Sequence, residues 1–185
     1  NISGSLTLAA DNVMVHNVQI GEGLYITSYN GASLNRCDLT AAWIDGANDT
    51  LTFDACNFHD ADEGPHMQIW DNGGSTRNLT IQNCYFHGLV AYGSSSDAHT
   101  ENIHIAGIQT ALIQNNWFEM YTPDGATTGQ YITANVTLEP DANGIMNQGI
   151  VIDSNWFYGG WVYELYYDFD GTSAVNKATN NQLDR

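Results

Sequence analysis

The chain of 185 residues carries four Lys and Arg against 21 Asp and Glu, a formal net charge of −17. So few bases exclude nucleic acid as a natural partner, because phosphate recognition draws on clustered Lys and Arg; a bulk polyanion such as pectate is repelled as well unless cations intervene. No apolar run approaches the length of a membrane span, so membrane insertion is not expected, and the length suits one domain with a substantial core.

Ser5 to Leu8 alternates apolar and polar residues and reads as a strand, with Asp11-Asn12 as a turn. Val13–Ile20 is then the first copy of a recurring unit whose usual form is apolar, any, apolar, two mostly polar residues, Cys or Asn, any, apolar. Leu24-Tyr25-Ile26 reads as a further strand before the second copy, Ala32–Leu39. Asn48-Asp49-Thr50 turns the chain into the third, Leu51–Phe58. A polar stretch from His59 to His66 follows, then Met67-Gln68-Ile69-Trp70, whose alternation sends Met67 and Ile69 inward and Gln68 and Trp70 outward. After the Asn72-Gly73-Gly74-Ser75 turn comes the fourth copy, Leu79–Phe86.

The insertions then lengthen. His87 to Gly107 includes a Gly93-Ser94-Ser95-Ser96 loop and a strand at Asn102–Ile105, with His104 facing away from Ile103 and Ile105. Ala111–Phe118 is the fifth copy, and Glu119 to Asn147 is the longest excursion, read as loop on a rigid scaffold. Ile150–Phe157 is the sixth copy. The aromatic run Gly159–Tyr167 is expected to cover a face or cap an end, and Asn176–Leu183 is a degenerate seventh copy. No stretch has a helical period.

Each copy reads as a short strand, a tight polar turn and a second short strand. Val15, Leu34, Phe53, Ile81, Ile113 and Ile152 form one inward column; Ile20, Leu39, Phe58, Phe86, Phe118 and Phe157 form another. Between them lie Val18, Cys37, Cys56, Cys84, Asn116 and Asn155, a column that takes up all three cysteines of the chain. Counted on this column and on to Asn181, the copies are 19, 19, 28, 32, 39 and 26 residues apart. Such self-similarity with loop-sized insertions is the signature of a solenoid, whose units bury their apolar faces only by stacking. Stacked cysteines are either buried small hydrophobes or, for Cys37 and Cys56, partners in a disulfide between adjacent coils.

This repeat resembles that of right-handed parallel β-helices of the pectate-lyase-like superfamily. The run from Asp62 through Phe86, an acidic Gly-containing segment before a strand, a Gly turn and the next repeat, resembles a common β-helix phrase. The resemblance implies an all-β fold: one right-handed parallel β-helix of about seven coils spanning residues 1–185, with long loops on its C-terminal half. With no Met at position 1 and no signal peptide, the chain is expected to be a mature product or an excerpt of a longer one. The fold hosts lyases, hydrolases, phage tailspikes and adhesins, so function has to be read from the site.

The register also defines outward columns. Gln19, Asp38, Asn57, Tyr85, Trp117 and Trp156 form one; Gly21, Thr40, His59, His87, Glu119 and Tyr158 form the next. Tyr85, Trp117 and Trp156, with Trp70, are the candidate sugar-stacking residues, since aromatic faces pack on sugar rings while flanking polar groups bond the hydroxyls. The competing reading is that the rings are simply roofed by the insertions. Glu119, His87, His59 and Tyr158 are the candidate catalytic residues, for proton abstraction beside a uronate carboxylate or, with Glu119 and one of Asp60, Asp62 or Glu63, for glycoside hydrolysis. Polyuronate lyases of the resembled fold rely on Arg, Lys or calcium, whereas this chain has only Arg36, Arg77, Lys177 and Arg185. The paired-Asp and Gly-His-Gly motifs of polygalacturonases are missing from it. Asp60, Asp62 and Glu63 have the oxygen chemistry of a calcium site but only part of a calcium loop's spacing; His59 and His66 with the intervening acids are a weaker zinc candidate. Four sequons, at Asn1, Asn48, Asn78 and Asn135, matter only in a eukaryotic secretory setting.

These readings lead to an extracellular or virion-surface module that binds a polysaccharide or cell-surface glycan. A polysaccharide lyase or glycosidase, and a structural spike segment forming a homotrimer, are the alternatives.

Overall fold

The computed structural model describes residues 1–61, 64–70, 76–89, 101–120, 134–159, 163–167 and 176–184. Every regular element among them is a strand, and three strands make each coil. The first coil is β1 (Leu6–Leu8), β2 (Met14–His16) and β3 (Gln19–Ile20); the second is β4 (Leu24–Thr27), β5 (Ser33–Asn35) and β6 (Asp38–Leu39). The third is β7 (Ala42–Asp45), β8 (Asp49–Asp54) and β9 (Asn57–His59); the fourth is β10 (Met67–Trp70), β11 (Arg77–Gln82) and β12 (Tyr85–His87). Then come β13 (Ile103–Ala106), β14 (Gln109–Gln114) and β15 (Trp117–Glu119), and β16 (Ala134–Glu139), β17 (Gln148–Asp153) and β18 (Trp156–Tyr158). The seventh coil is β19 (Tyr163–Tyr167), β20 (Lys177–Thr179) and β21 (Gln182–Asp184).

The first strands of all coils form one seven-stranded sheet (sheet I), the second strands another (sheet II) and the third strands a third (sheet III). All pairings are parallel, as the stacking of like strands in a parallel β-helix requires. The register is the one the repeat implies: Val15, Leu34, Phe53, Ile81, Ile113 and Ile152 are successive partners in sheet II, and Ile20, Leu39, Phe58, Phe86, Phe118 and Phe157 in sheet III. In the second column four phenylalanines stack with ring centroids 4.6, 4.8 and 4.9 Å apart, close to the spacing of parallel strands. Their burial is complete.

The corner between sheets II and III is built from one left-handed residue per coil. Asn17, Arg36, Ala55, Asn83, Asn115, Ser154 and Asn180 all have φ between 53 and 56°. Asn, which tolerates this region best after Gly, fills four of the seven positions. The next residue points inside, and here the cysteines pile up as buried, free thiols; the Cys37–Cys56 disulfide is not formed. Each thiol faces carbonyls of its own coil and the coil before, as Cys84 Sγ does with Gln82 O at 3.2 Å and Phe53 O at 3.7 Å. From the fifth coil onward asparagines take over. Asn116 Oδ1 accepts from Cys84 N, Asn155 Oδ1 from Asn116 N, and Asn181 Oδ1 from Asn155 N, each at 2.9 Å.

The other two corners carry polar ladders that the repeat alone does not reveal. Before sheet I, buried His66 Nδ1 meets Asn102 Oδ1 at 2.7 Å, and Asn102 Nδ2 donates to Asn135 Oδ1 at 2.7 Å. Between sheets I and II, Asn48 and Asn147 donate to backbone carbonyls, Asn48 to Asp45 O and Asn147 to Glu139 O. The Asn48 and Asn147 bonds satisfy carbonyls that a tight interior corner would otherwise leave unpaired, and the His66–Asn102–Asn135 bonds pair buried side chains with one another.

Two expectations need correction. The excursion from Glu119 to Asn147 is not one loop: Ala134–Glu139 is the sheet I strand of the sixth coil, recognisable by Val136 and Leu138 facing inward. The aromatic run after Gly159 does not lie over a face along its described part; Tyr163–Tyr167 pairs with β16 as the last strand of sheet I, at the end of the stack.

Candidate functional site

Sheet III turns its outward residues to one surface, and the pairings place both outward columns as the alternation requires. Asp38 pairs with Asn57, Asn57 with Tyr85, Tyr85 with Trp117, and Trp117 with Trp156; in the next column His59 pairs with His87 and Glu119 with Tyr158. Because each strand holds only two or three residues, side chains from five coils share one narrow strip.

The strip divides into an aromatic and a polar half. Trp117 and Trp156 stack at 4.5 Å with their planes 18° apart. Stacking covers one face of each indole, but Trp117 stays 42% exposed, so the rest of its surface is open to a ligand. Together with Asn115, Asn116, Ser154, Asn155, Asn180 and Gln182 the pair lines a shallow hollow of about 330 Å³. That volume is at the low end of what small-molecule sites enclose, and its rim is rich in amide and hydroxyl groups.

Tyr85 does not continue the indole stack. Its ring lies against His87 at 4.2 Å, and its hydroxyl donates a short hydrogen bond to Glu119 Oε2. Burial, and then the Glu119 carboxylate beside it, push the phenol up to about 12, so Tyr85 keeps its proton at neutral pH. His87 is pushed below the ordinary imidazole value, first by burial and then by His59, whose ring lies 5.9 Å away. His87 Nε2 donates to Asn57 Oδ1 at 3.0 Å, which leaves Nδ1 as the acceptor nitrogen. Asn57 in turn donates to Asp38 Oδ1 at 2.8 Å. His59 is bracketed by Asp38 Oδ1 at 3.1 Å and Asp60 Oδ2 at 2.9 Å.

Seven of the eight predicted catalytic and sugar-stacking residues therefore meet on this face: Tyr85, Trp117, Trp156, His59, His87, Glu119 and Tyr158. Trp70 does not join them. It stands on β10 in sheet I, edge-on to His104 at 5.8 Å. Of the predicted calcium ligands, Asp62 and Glu63 lie outside the described residues, and Asp60 is engaged with His59. Among the described residues no three His, Cys, Asp or Glu side chains converge as metal ligands. Glu119 and Asp60 stand two coils apart, about 10 Å along the axis. Three sequon asparagines have structural tasks: Asn48 and Asn135 are buried in the corner ladders, and Asn78 bonds Asp49 Oδ1 at 2.7 Å.

Sheet I carries a second polar and aromatic face that the sequence reading left unassembled. Tyr25 and Trp43 stack at 4.8 Å on neighbouring strands. His104 is paired through Nε2 with Glu139 Oε1 and is 1% exposed, so it faces outward from the coil yet is covered. The signal was present in the alternation of Leu24-Tyr25-Ile26, Ala42-Trp43-Ile44, Met67-Gln68-Ile69, Ile103-His104-Ile105 and Val136-Thr137-Leu138. It is a separate register, hidden by insertions of unequal length.

No protein-family model matches this sequence, and no curated protein does either. Among solved structures, the chain is similar to PfbA, a surface adhesin of Streptococcus pneumoniae, with 16% identity and a TM-score of 0.48 over 88% of this chain and 50% of that one. A second structure of the same adhesin gives 16% identity and a TM-score of 0.47 over 88% and 55% of the two chains. An alginate lyase from Paenibacillus sp. aligns at 13% identity and a TM-score of 0.28, covering 99% of this chain and 89% of the lyase. The chain thus spans about half the length of the adhesin it matches, and likeness at this level carries no conclusion about binding or catalysis.

Proposed function

We propose that this protein is an extracellular or virion-surface module that binds a polysaccharide or cell-surface glycan on the outer face of sheet III. The observation that carries the reading is the hollow of about 330 Å³ formed by the Trp117–Trp156 pair and rimmed by Asn115, Ser154, Asn180 and Gln182. An open indole offers an apolar plate to a sugar ring, and amide rims bond its hydroxyls. His87, Asn57 and Asp38 extend the polar surface along the strip, as a chain-like ligand would use. Binding to a glycan array tests this. Trp117→Ala and Trp156→Ala should each weaken binding at least tenfold, in line with the loss of a central aromatic contact. Unchanged affinity in both variants would sink the proposal.

Cleavage of the bound polysaccharide is the second reading, favoured by one observation: His87, whose imidazole is pushed below its ordinary value by burial, stands one coil from Glu119 in the same outward column. Release of reducing or unsaturated ends, abolished by His87→Ala and by Glu119→Gln, supports it. A homotrimeric spike segment is checked by light scattering on the same samples.

A further inference from the structure

The face proposed to take a glycan is lined by acids and, around the indoles, by no described Lys or Arg; its basic side chains are the imidazoles of His59 and His87, the first held between Asp38 and Asp60. Glu119 stands two residues along β15 from Trp117, and Asp184 pairs with Tyr158 in the neighbouring strand. Asp38 and Asp60 occupy the other end of the strip beside His59. Among the described residues the Lys and Arg side chains lie elsewhere. Arg77 is bonded to Asp49 Oδ2 at 2.9 Å, and β11 belongs to sheet II. Lys177 is on β20 of sheet II, where it pairs with Val151. Arg36 sits at the corner leading into β6, three coils or about 14 Å from Glu119.

We infer that the sheet III site selects glycans bearing protonated amino groups, of the glucosamine-polymer class, over neutral sugars and against polyuronates. The inference rests on the glycan-binding reading of this face. An ammonium on a sugar ring packed over Trp117 meets two favourable fields at once. The indole quadrupole attracts a cation above its face, and the Glu119 carboxylate lies within the same patch. A uronate carboxylate in that place meets the reverse of both, with no described Lys or Arg on this face to offset it. The acids act locally here: a pair of opposite charges within a Debye length is screened less than the remote charge of the whole molecule, most of which lies beyond that distance.

The experiment is calorimetric titration with three β-1,4-linked or α-1,4-linked hexamers: glucosamine, N-acetylglucosamine and galacturonate, in a buffer acidic enough to protonate the amines. The glucosamine hexamer should bind about tenfold tighter than its acetylated counterpart, a difference of about 1.4 kcal/mol, and the galacturonate hexamer should not bind. Glu119→Gln and Asp184→Asn should move that ratio towards one, and Asp54→Asn, on sheet II, should leave it in place. A ratio near one in the parent protein, or a ratio that falls as much with Asp54→Asn, overturns the inference. Trp117-dependent binding of the acetylated hexamer under those same results would leave the glycan-binding reading standing. If no hexamer binds and the array is silent, that reading is lost and the selectivity goes with it.

Discussion

Asn116 occupies the interior corner position that Cys84 fills one coil earlier, and the two residues solve the same problem differently. The Asn116 amide accepts from Cys84 N and donates to Ile81 O at 3.0 Å, so it ties two coils with two backbone bonds. A thiol offers only the donor half, as Cys84 does with Phe53 O. Asn116→Ala should therefore lower stability by about 2–4 kcal/mol, the cost of leaving buried backbone groups unpaired. Asn116→Cys should cost distinctly less, and equal losses in urea denaturation would contradict this account. In the third coil, one residue before Cys56 at the same corner, Ala55 holds φ of 53° with an exposed side chain and gains nothing from its Cβ. Ala55→Asn should raise the unfolding free energy by about 0.5–1 kcal/mol, because Asn enters the left-handed region at lower cost. A midpoint that does not move would show that the corner carries no such strain. The columns that place these residues were legible in the sequence, since each copy repeats the same alternation. The bonds were not, since Asn and Cys look equivalent as small buried residues until a backbone partner is placed beside them.

At the scale of one element, the corner entering sheet I links His66, Asn102 and Asn135 through three successive coils. Burial, opposed by the bond to Asn102 and aided by His87 and His59, lowers His66 to about 4. The sign follows from linkage. Above the ordinary imidazole value near 6.5 the folded and unfolded chains both hold a neutral His66, and its contribution is constant. Between about 6.5 and about 4 the unfolded chain takes up a proton that the folded one refuses, so stability falls as pH falls. The slope from this residue should be about 1.4 kcal/mol per pH unit, to a total of about 3 kcal/mol. Denaturation midpoints of the parent and of His66→Gln, which keeps a bond to Asn102 within reach but does not titrate, should run parallel above about pH 6.5 and separate below it, the parent alone losing stability towards about pH 4. Parallel curves across that window would mean that His66 is not the group responsible. The candidate site belongs to this scale too. Its residues were placed by register, but Tyr85 turns from Trp117 toward His87 and Glu119, a choice made by local packing and hydrogen bonding that alternation does not encode.

Over the whole molecule the dominant feature is charge. A net charge of −17 on 185 residues repels itself, and compaction brings the acids closer. Raising salt from about 0.01 M to about 0.15 M shortens the screening length from about 30 Å to about 8 Å. The melting temperature should then rise by several degrees, and a flat or falling trend would place the acids in favourable local partnerships instead. Some such partnerships exist: Asp49 and Asp153 are both held below the usual carboxylate value, each by side-chain hydrogen bonds, first from Asn78 and first from Thr179 respectively. The remaining acids carry the repulsion.

The amino-acid sequence by itself determined the winding. Identical alternation at successive spacings leaves one register in which the apolar columns all face inward, and parallel stacking follows, because a strand-turn-strand unit has no other way to bury its inner face. The tertiary structure alone decided which outward side chains meet. Trp70 and Trp117 are both outward-facing on neighbouring coils, yet they lie on different sheets, because the polar corners set where one face ends and the next begins. His104 alternates outward like Tyr25 but is buried against Glu139, since the partners of an outward residue come from segments many residues away whose approach no local pattern records.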